Sequence, residues 1–534
     1  TGSYNTFVGS AAGQGGTTSA PYSSGQNNVA IGYQSLMGFT TGATNVSIGS
    51  YSLESITTGY ANVAIGYYAG SDLTTGLRNV IIGENAGLYE TNSYNTYIGY
   101  EAGKGSSSGN ASNGYNVAVG YQALTDVRSA SLNTAVGLQA GTNMDEGDDN
   151  VLLGAYSGLA MTDGSKNIVI GRDAGYGITT GNTNIAIGYQ ALYLENTGTY
   201  AIAIGYRSGY KNRLSGQNEN VFLGTNAGRE NTDGNDNVYV GFGAGYGISG
   251  EGAANNVAIG NLALYLAKGN DNVVIGHSAG WYATGSQNTF VGSGAGKGGT
   301  QTAPYSSGQQ NTAVGYLALT AFTTAIHNVA FGNDSMRNNT SGNYNTAYGS
   351  SAMRNNTTGG ANVAIGYAAA RDLDGGDYNV VVGNGAGYNL GNVDRCILIG
   401  NAAGYAINNT GANGTVAIGD EAGHDLTSGG YNVLIGYQAG DKITDAHSNV
   451  GIGYGVLGAL QGGSTPAGDY VAIGIAAGSN LSGAQYGQCI AIGSYALNHG
   501  HAAQYSVAIG YQALHYATGS DNIGIGQWAG RGMG

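Results

Sequence analysis

A parallel β-solenoid is the fold class this sequence predicts, and three observations carry it. A short phrase of the form Asn-Val-Ala-Ile-Gly recurs from one end of the chain to the other, glycine supplies 100 of the 534 residues, and only 9% of residues are charged. Fixed-period repetition points to stacked units. Collagen is excluded because glycine does not fall at every third position and there are 3 prolines. Long helices and coiled coils need charged and Ala/Leu-type helix formers and little glycine. A hydrophobic fraction of 41% argues against disorder.

The phrase occurs 30 times, from Asn5-Thr6-Phe7-Val8-Gly9 to Asn522-Ile523-Gly524-Ile525-Gly526, and most steps between copies are 17 residues. Seventeen residues are too few for a strand, a crossover helix and a second strand. They suffice for two short strands and two tight corners, so each copy reads as one coil of an all-β parallel solenoid or β-roll of about 30 coils.

Within the coil, the first residue is Asn in 24 copies, and it predicts a side-chain amide ladder or a left-handed corner. The second is always Val, Ile or Thr and the fourth almost always Ile, Val or Leu; with side chains alternating, these two are expected inside, as Val29 and Ile31. The fifth is glycine in all 30 copies, where a corner needs positive φ or a close backbone approach. The eighth is Ala or Ser in 29, as Ala69 and Ala191, expected to fit an opposing strand into a thin interior.

By the same alternation the third residue points outward, yet it is apolar: Phe7, Ala30, Ala64, Ile81, Tyr97, Val169, Phe222, Tyr239, Val274, Leu398. Only Ser47 is clearly polar there and none of the 30 is charged. A strand apolar on both faces is buried on both. The expectation is a homo-oligomer, most simply a trimer, packed through these third-position residues.

Residues 5–26 return at 288–309, an offset of 283 residues. The chain therefore reads as one repeat array over 1–534 with an internal duplication, the second block starting near 285. Pro21, Pro304 and Pro466 all fall in the longer steps, as expected if proline removes a ladder donor. Those insertions, with Ser106 to Asn113, are the expected protruding loops. The chain opens Thr1-Gly2-Ser3 within the pattern, as expected of a segment of a longer or processed protein.

A net charge of −14 argues against nucleic acid as a partner, and no apolar run approaches a membrane span. Gly453-Tyr454-Gly455-Val456-Leu457-Gly458 matches a dinucleotide-binding string but lacks the βαβ context. Aspartates at 145, 148 and 149 and at 372, 374 and 377 read as solvated turns, with structural calcium the minor alternative and no other cofactor expected. The seven histidines, His499 and His501 included, lack metal-site spacing. Cys396 and Cys489 lie five coils apart, roughly 24 Å at the usual strand spacing, and read as buried free thiols. No catalytic residues are assigned.

Tyrosine, 41 residues, often follows the corner glycine. Tyr22, Tyr33, Tyr67, Tyr189, Tyr305, Tyr316 and Tyr437 are the candidates for exposed contact residues, as an outward stacking ladder or an adhesive surface. Phrases such as Asn62-Val63-Ala64-Ile65-Gly66-Tyr67-Tyr68-Ala69-Gly70 resemble the head repeats of trimeric autotransporter adhesins, and are similar to repeats of long phage tail-fibre and bacterial surface proteins. The resemblance implies a left-handed parallel β-roll, three chains, extracellular display on a cell or virion, and attachment to a surface. The expected role is a non-enzymatic structural and adhesive fibre segment contacting host, prey or matrix glycans or proteins through many weak contacts. Alternatives are an ice- or mineral-binding solenoid, from threonine pairs such as Thr57-Thr58, and, less favoured, a polysaccharide-active β-helix enzyme.

Overall fold

The structure, a computed structural model, describes residues 2–16, 23–107, 114–213, 215–299, 305–460, 468–481, 487–499 and 503–532. The three prolines, Tyr22, His501 and most of the 106–113 insertion lie outside the described residues. Among those described there is no α-helix, and one 3-10 turn spans Thr410–Ala412. The chain forms two compact units, Thr1–Lys268 and Gly269–Gly534, although composition does not change between them.

Each unit is a parallel β-solenoid. The first contains fifteen three-residue strands in one ladder, from Thr6–Val8 to Val257–Ile259; the second contains fifteen, from Val273–Ile275 to Ile523–Ile525. Neighbouring strands pair in parallel with equivalent positions opposite one another: Val46 with Val63, Ser47 with Ala64, Ile48 with Ile65. A small second ladder in the first unit joins Thr197–Thr199 to Ser215–Gln217.

The strand's phase is opposite to the one expected. The third-position residues Ala30, Ala64, Ile81, Tyr97, Val169, Phe222, Tyr239, Val274 and Leu398 are fully buried within their own chain. Phe7 keeps 38% of its surface exposed and sets its ring 5.7 Å from that of Phe39. The second and fourth residues face outward instead, giving the burial pattern intermediate–buried–intermediate in strand after strand, as in Val63–Ile65.

Asparagine sets that phase. Asn28, Asn45, Asn62 and Asn79 are buried. The Asn62 Oδ1 accepts the backbone N–H of Asn79 (3.0 Å) and its side-chain amide (3.0 Å), while the Asn62 Nδ2 donates to the Gly76 carbonyl at 2.9 Å. A buried amide needs partners on both of its atoms, and the next coil supplies them. With position one inside, alternation carries position three inside as well. The ladder is thus the amide column; the left-handed residue is the one before it, as Thr44 (φ 56°) and Ala61 (φ 58°).

The opposing side is not a strand. After the fifth-position glycine, alternate residues take positive φ: Gly49 at 137°, Tyr51 at 59° and Leu53 at 46°. Their N–H groups still pair between coils, Tyr51 with the Tyr33 carbonyl (2.9 Å) and Leu53 with that of Ala69 (3.0 Å). The hydrogen-bond ladder continues there without strand geometry. At Gly49 a β-carbon would overlap the Gly66 carbonyl in addition to the unfavourable φ, which explains a column of 30 glycines.

The core is one side chain thick, and its volume is shared between positions three and nine. Wherever the third residue is Val, Ile, Leu, Phe or Tyr, the ninth is glycine: Tyr97 with Gly103, Phe222 with Gly228, Tyr239 with Gly245. Wherever the ninth is Leu or Met, the third is Ala, Ser or Gly, as in Ala118 with Leu124 and Ala330 with Met336. Where both are small, neighbouring coils fill the gap: a β-carbon on Gly70 would meet Ile81 Cδ1 at 2.9 Å and Leu53 Cδ2 at 3.1 Å. Position twelve closes the core with Ile56, Leu73, Ile178 and Leu390, all buried.

Candidate functional site

With positions one, three, eight, nine and twelve inside, the outer surface is built from the remaining columns. The outer strand face presents two rows of β-branched and aliphatic side chains, joined by Phe331 and Tyr348, which stack at 4.7 Å. Ile31, Ile204, Ile365 and Ile452 of this face are exposed, and Val46, Val63 and Val117 are half-buried. No charged residue occurs at the second or fourth position of any of the 30 copies. An apolar strip of this regularity is uncommon on a surface that meets only water.

Tyrosines flank the strip and stand on the other faces. Of the contact candidates, Tyr33, Tyr67, Tyr316 and Tyr437 are exposed, Tyr189 and Tyr305 are half-buried, and Tyr22 lies outside the described residues. Many rings repeat at the same coil position and stack along the solenoid: Tyr100 on Tyr121 at 5.1 Å, Tyr189 on Tyr206 at 5.4 Å, Tyr437 on Tyr454 at 5.3 Å. On another face Tyr176, Tyr193 and Tyr210 form a three-ring stack with both spacings 5.1 Å. Stacked in this way the rings show solvent their edges and hydroxyls rather than their faces.

Charged groups are drawn into bonds between coils. Arg128 pairs with Asp145 one coil on, and Lys211 with Glu230 at 2.6 Å. In the two aspartate-rich turns, Asp148 accepts the Ser131 N–H (2.6 Å), Asp374 the Thr357 hydroxyl (2.6 Å) and Asp377 the Gly360 N–H (2.7 Å). Among the described residues no group of three or more His, Cys, Asp or Glu side chains is placed to hold a metal ion. Threonine hydroxyls are likewise engaged: Thr57 donates to the Thr74 carbonyl and Thr340 to that of Thr357. An open cleft of about 460 Å³ lies beside Lys104, Asp126, Arg128 and Asp145.

Two carboxyl groups occupy the interior at position twelve, which no sequence expectation singled out. Glu195 accepts the Asn196 and Gly198 N–H groups (both 3.0 Å) and the side-chain amides of Asn212 and Asn218 (both 2.9 Å). Burial raises its pKa to about 7 against the pull of those donors. Glu90 accepts the Tyr97 hydroxyl at 2.8 Å and the Thr91 and Asn92 N–H groups, and burial raises it too. Both lie at a corner where an apolar residue usually stands; the signal for them is charge at a repeat position that is otherwise uncharged.

Cys396 and Cys489 are free and buried in the Asn column. The Cys396 thiol donates to the Ala412 carbonyl at 3.4 Å, replacing the amide-to-turn bond, and burial pushes it up to about 11. The stretch Gly453–Gly458 is the bend and turn that follow the strand Val450–Ile452, with no helix to receive a phosphate. No helix among the described residues is long and apolar enough to cross a membrane. No protein-family model matches the chain, and no curated protein matches it in sequence.

Proposed function

We propose that the chain is a non-enzymatic structural and adhesive segment, displayed outside a cell or on a virion, that assembles with copies of itself. The observation that carries this reading is the outer strand face, uncharged in all 30 copies and apolar in most, with threonine at the second position in six. Two features favour a second copy as its occupant. A copy has the same coil spacing, so its ridges meet grooves of equal period along the whole strip. Each copy carries a net charge of −14, so the uncharged strip is where like-charged chains meet with least repulsion. Fifteen strands at roughly 4.8 Å spacing and a width of about 10 Å offer about 700 Å² per unit, near the ~800 Å² per partner of a stable interface.

Assembly through the second and fourth positions replaces the third-position interface that alternation first suggested. Three chains around one axis remain the expected arrangement. The tyrosine-bearing faces stay outside it and present equivalent rings and hydroxyls at repeated intervals, which suits attachment by many weak contacts.

Native mass measurement tests the assembly, and binding of the purified segment to immobilised glycans and matrix proteins tests attachment. A multiple of the 53.7 kDa chain mass is expected, with retention that falls when the assembly is broken. A stable monomer would remove the basis of the reading.

A further inference from the structure

Among the described residues Tyr94 and Tyr115 are the most closely parallel tyrosine pair, with ring centroids 4.8 Å apart and planes 3° from parallel. Both are open to solvent, at 38% and 58% exposure. Their alignment is enforced by the backbone. Each precedes an Asn of the buried column, and each has left-handed φ, 67° and 62°. The column ties the two corners together through the Asn116 N–H bond to Asn95 Oδ1 (2.9 Å) and the Thr96 N–H bond to the Asn116 carbonyl (2.8 Å). Arg78 pins the first ring, donating to the Tyr94 hydroxyl at 3.1 Å with its guanidinium 5.6 Å from the ring centre. At the same coil position the following residue is Leu132, so the stack holds two phenols and a radical formed on one has a single phenol beside it.

We propose that this pair is a modification site: with hydrogen peroxide and a one-electron peroxidase-type oxidant, the two phenols couple into an intrachain dityrosine that staples adjacent coils. Each phenol gives up one electron and its hydroxyl proton to become a phenoxyl radical. Peroxide takes up the two electrons and two protons and leaves as two waters. The radicals join through the ring carbons ortho to oxygen, forming one carbon–carbon bond. The hydrogens on those carbons depart as protons while the two oxygens are reprotonated, so the product is the starting pair less two hydrogens. Coupling is directed by proximity, because groups held together react at a far higher effective concentration than groups that must meet by diffusion.

The test treats the full chain briefly with peroxidase and limiting hydrogen peroxide, then maps cross-linked peptides by mass spectrometry. Tyr316, Tyr367 and Tyr431 are the comparison, being exposed without a stacked ring among the described residues. The Tyr94–Tyr115 link is expected at least about tenfold above any intrachain link made by those three, as held neighbours require. Tyr115→Phe should abolish that link with the circular dichroism spectrum unchanged. Mixing isotopically light and heavy chains should give no mixed-mass form of the link. A link no commoner than those of the unstacked tyrosines, or one found chiefly between chains, overturns the proposal.

Discussion

The Tyr97 ring occupies the space that a side chain on Gly103 would need: a β-carbon there would overlap the ring, and the Tyr97 hydroxyl is fixed at 2.8 Å from Glu90 Oε2. The two residues behave as one packing unit, large opposite absent, and most coils state their own version of that trade.

Gly103→Ala is therefore expected to destabilise its coil by about 1–3 kcal/mol, through overpacking and a β-carbon at φ 55°. Tyr97→Ala combined with Gly103→Leu copies the arrangement of Ala118 and Leu124 and should recover part of the loss. Amide hydrogen exchange around residues 95–105 reads both, and additive effects in the double variant would contradict a shared volume.

Asn62→Ala removes one rung of the amide column and leaves the Gly76 carbonyl and the Asn79 N–H without their side-chain partner. A local loss of about 1–3 kcal/mol is expected from the stranded buried groups. The Asn79 N–H should lose protection first, ahead of amides two coils away, because solenoid coils contact only their neighbours.

Ala364 and Ile365 are adjacent but face opposite ways, one fully buried and the other 41% exposed. Ala364→Glu should unfold its surroundings, since it places an unpaired carboxylate in the core. Ile365→Glu should leave the circular dichroism spectrum intact and lower the assembled mass. The reverse pattern would restore the original phase assignment.

Glu195 makes stability depend on pH. Its folded pKa of about 7 lies above the ordinary 4.5, so the folded chain holds a proton that the unfolded chain releases between those values. Its contribution is full below about 4.5 and declines as pH rises through about 7. Protection of the Gly198 amide, corrected for intrinsic exchange, should fall between pH 5 and pH 8 by more in the native protein than in Glu195→Gln.

The repeat length, the corner glycine and the amide ladder are legible in the sequence because each is a backbone requirement repeated almost without exception. The face of the strand is not, because alternation offers two phases and hydrophobicity cannot choose when both rows are apolar. Asn28 and its equivalents do choose: a buried amide column and an inward third residue share parity, so Ala30 turns in and Val29 and Ile31 turn out. Reading columns three and nine together would also have found the packing, since Tyr97 meets Gly103 where Ala118 meets Leu124. Glu90 and Glu195 stand out only when column twelve is known to be interior.

The hydrogen bonds of the ladder, from Thr57 N to the Thr74 carbonyl at 2.7 Å to Val63 N and the Asn79 carbonyl at 2.9 Å, join each coil to the next and run along the stacking direction. Tension applied along that direction loads the bonds of the terminal coil before those of its neighbours. Coils then peel away singly, each releasing up to about 55 Å of slack chain and absorbing work as it opens. A stack built in this way yields stepwise under a sudden pull, while the coils behind the breaking point keep their structure.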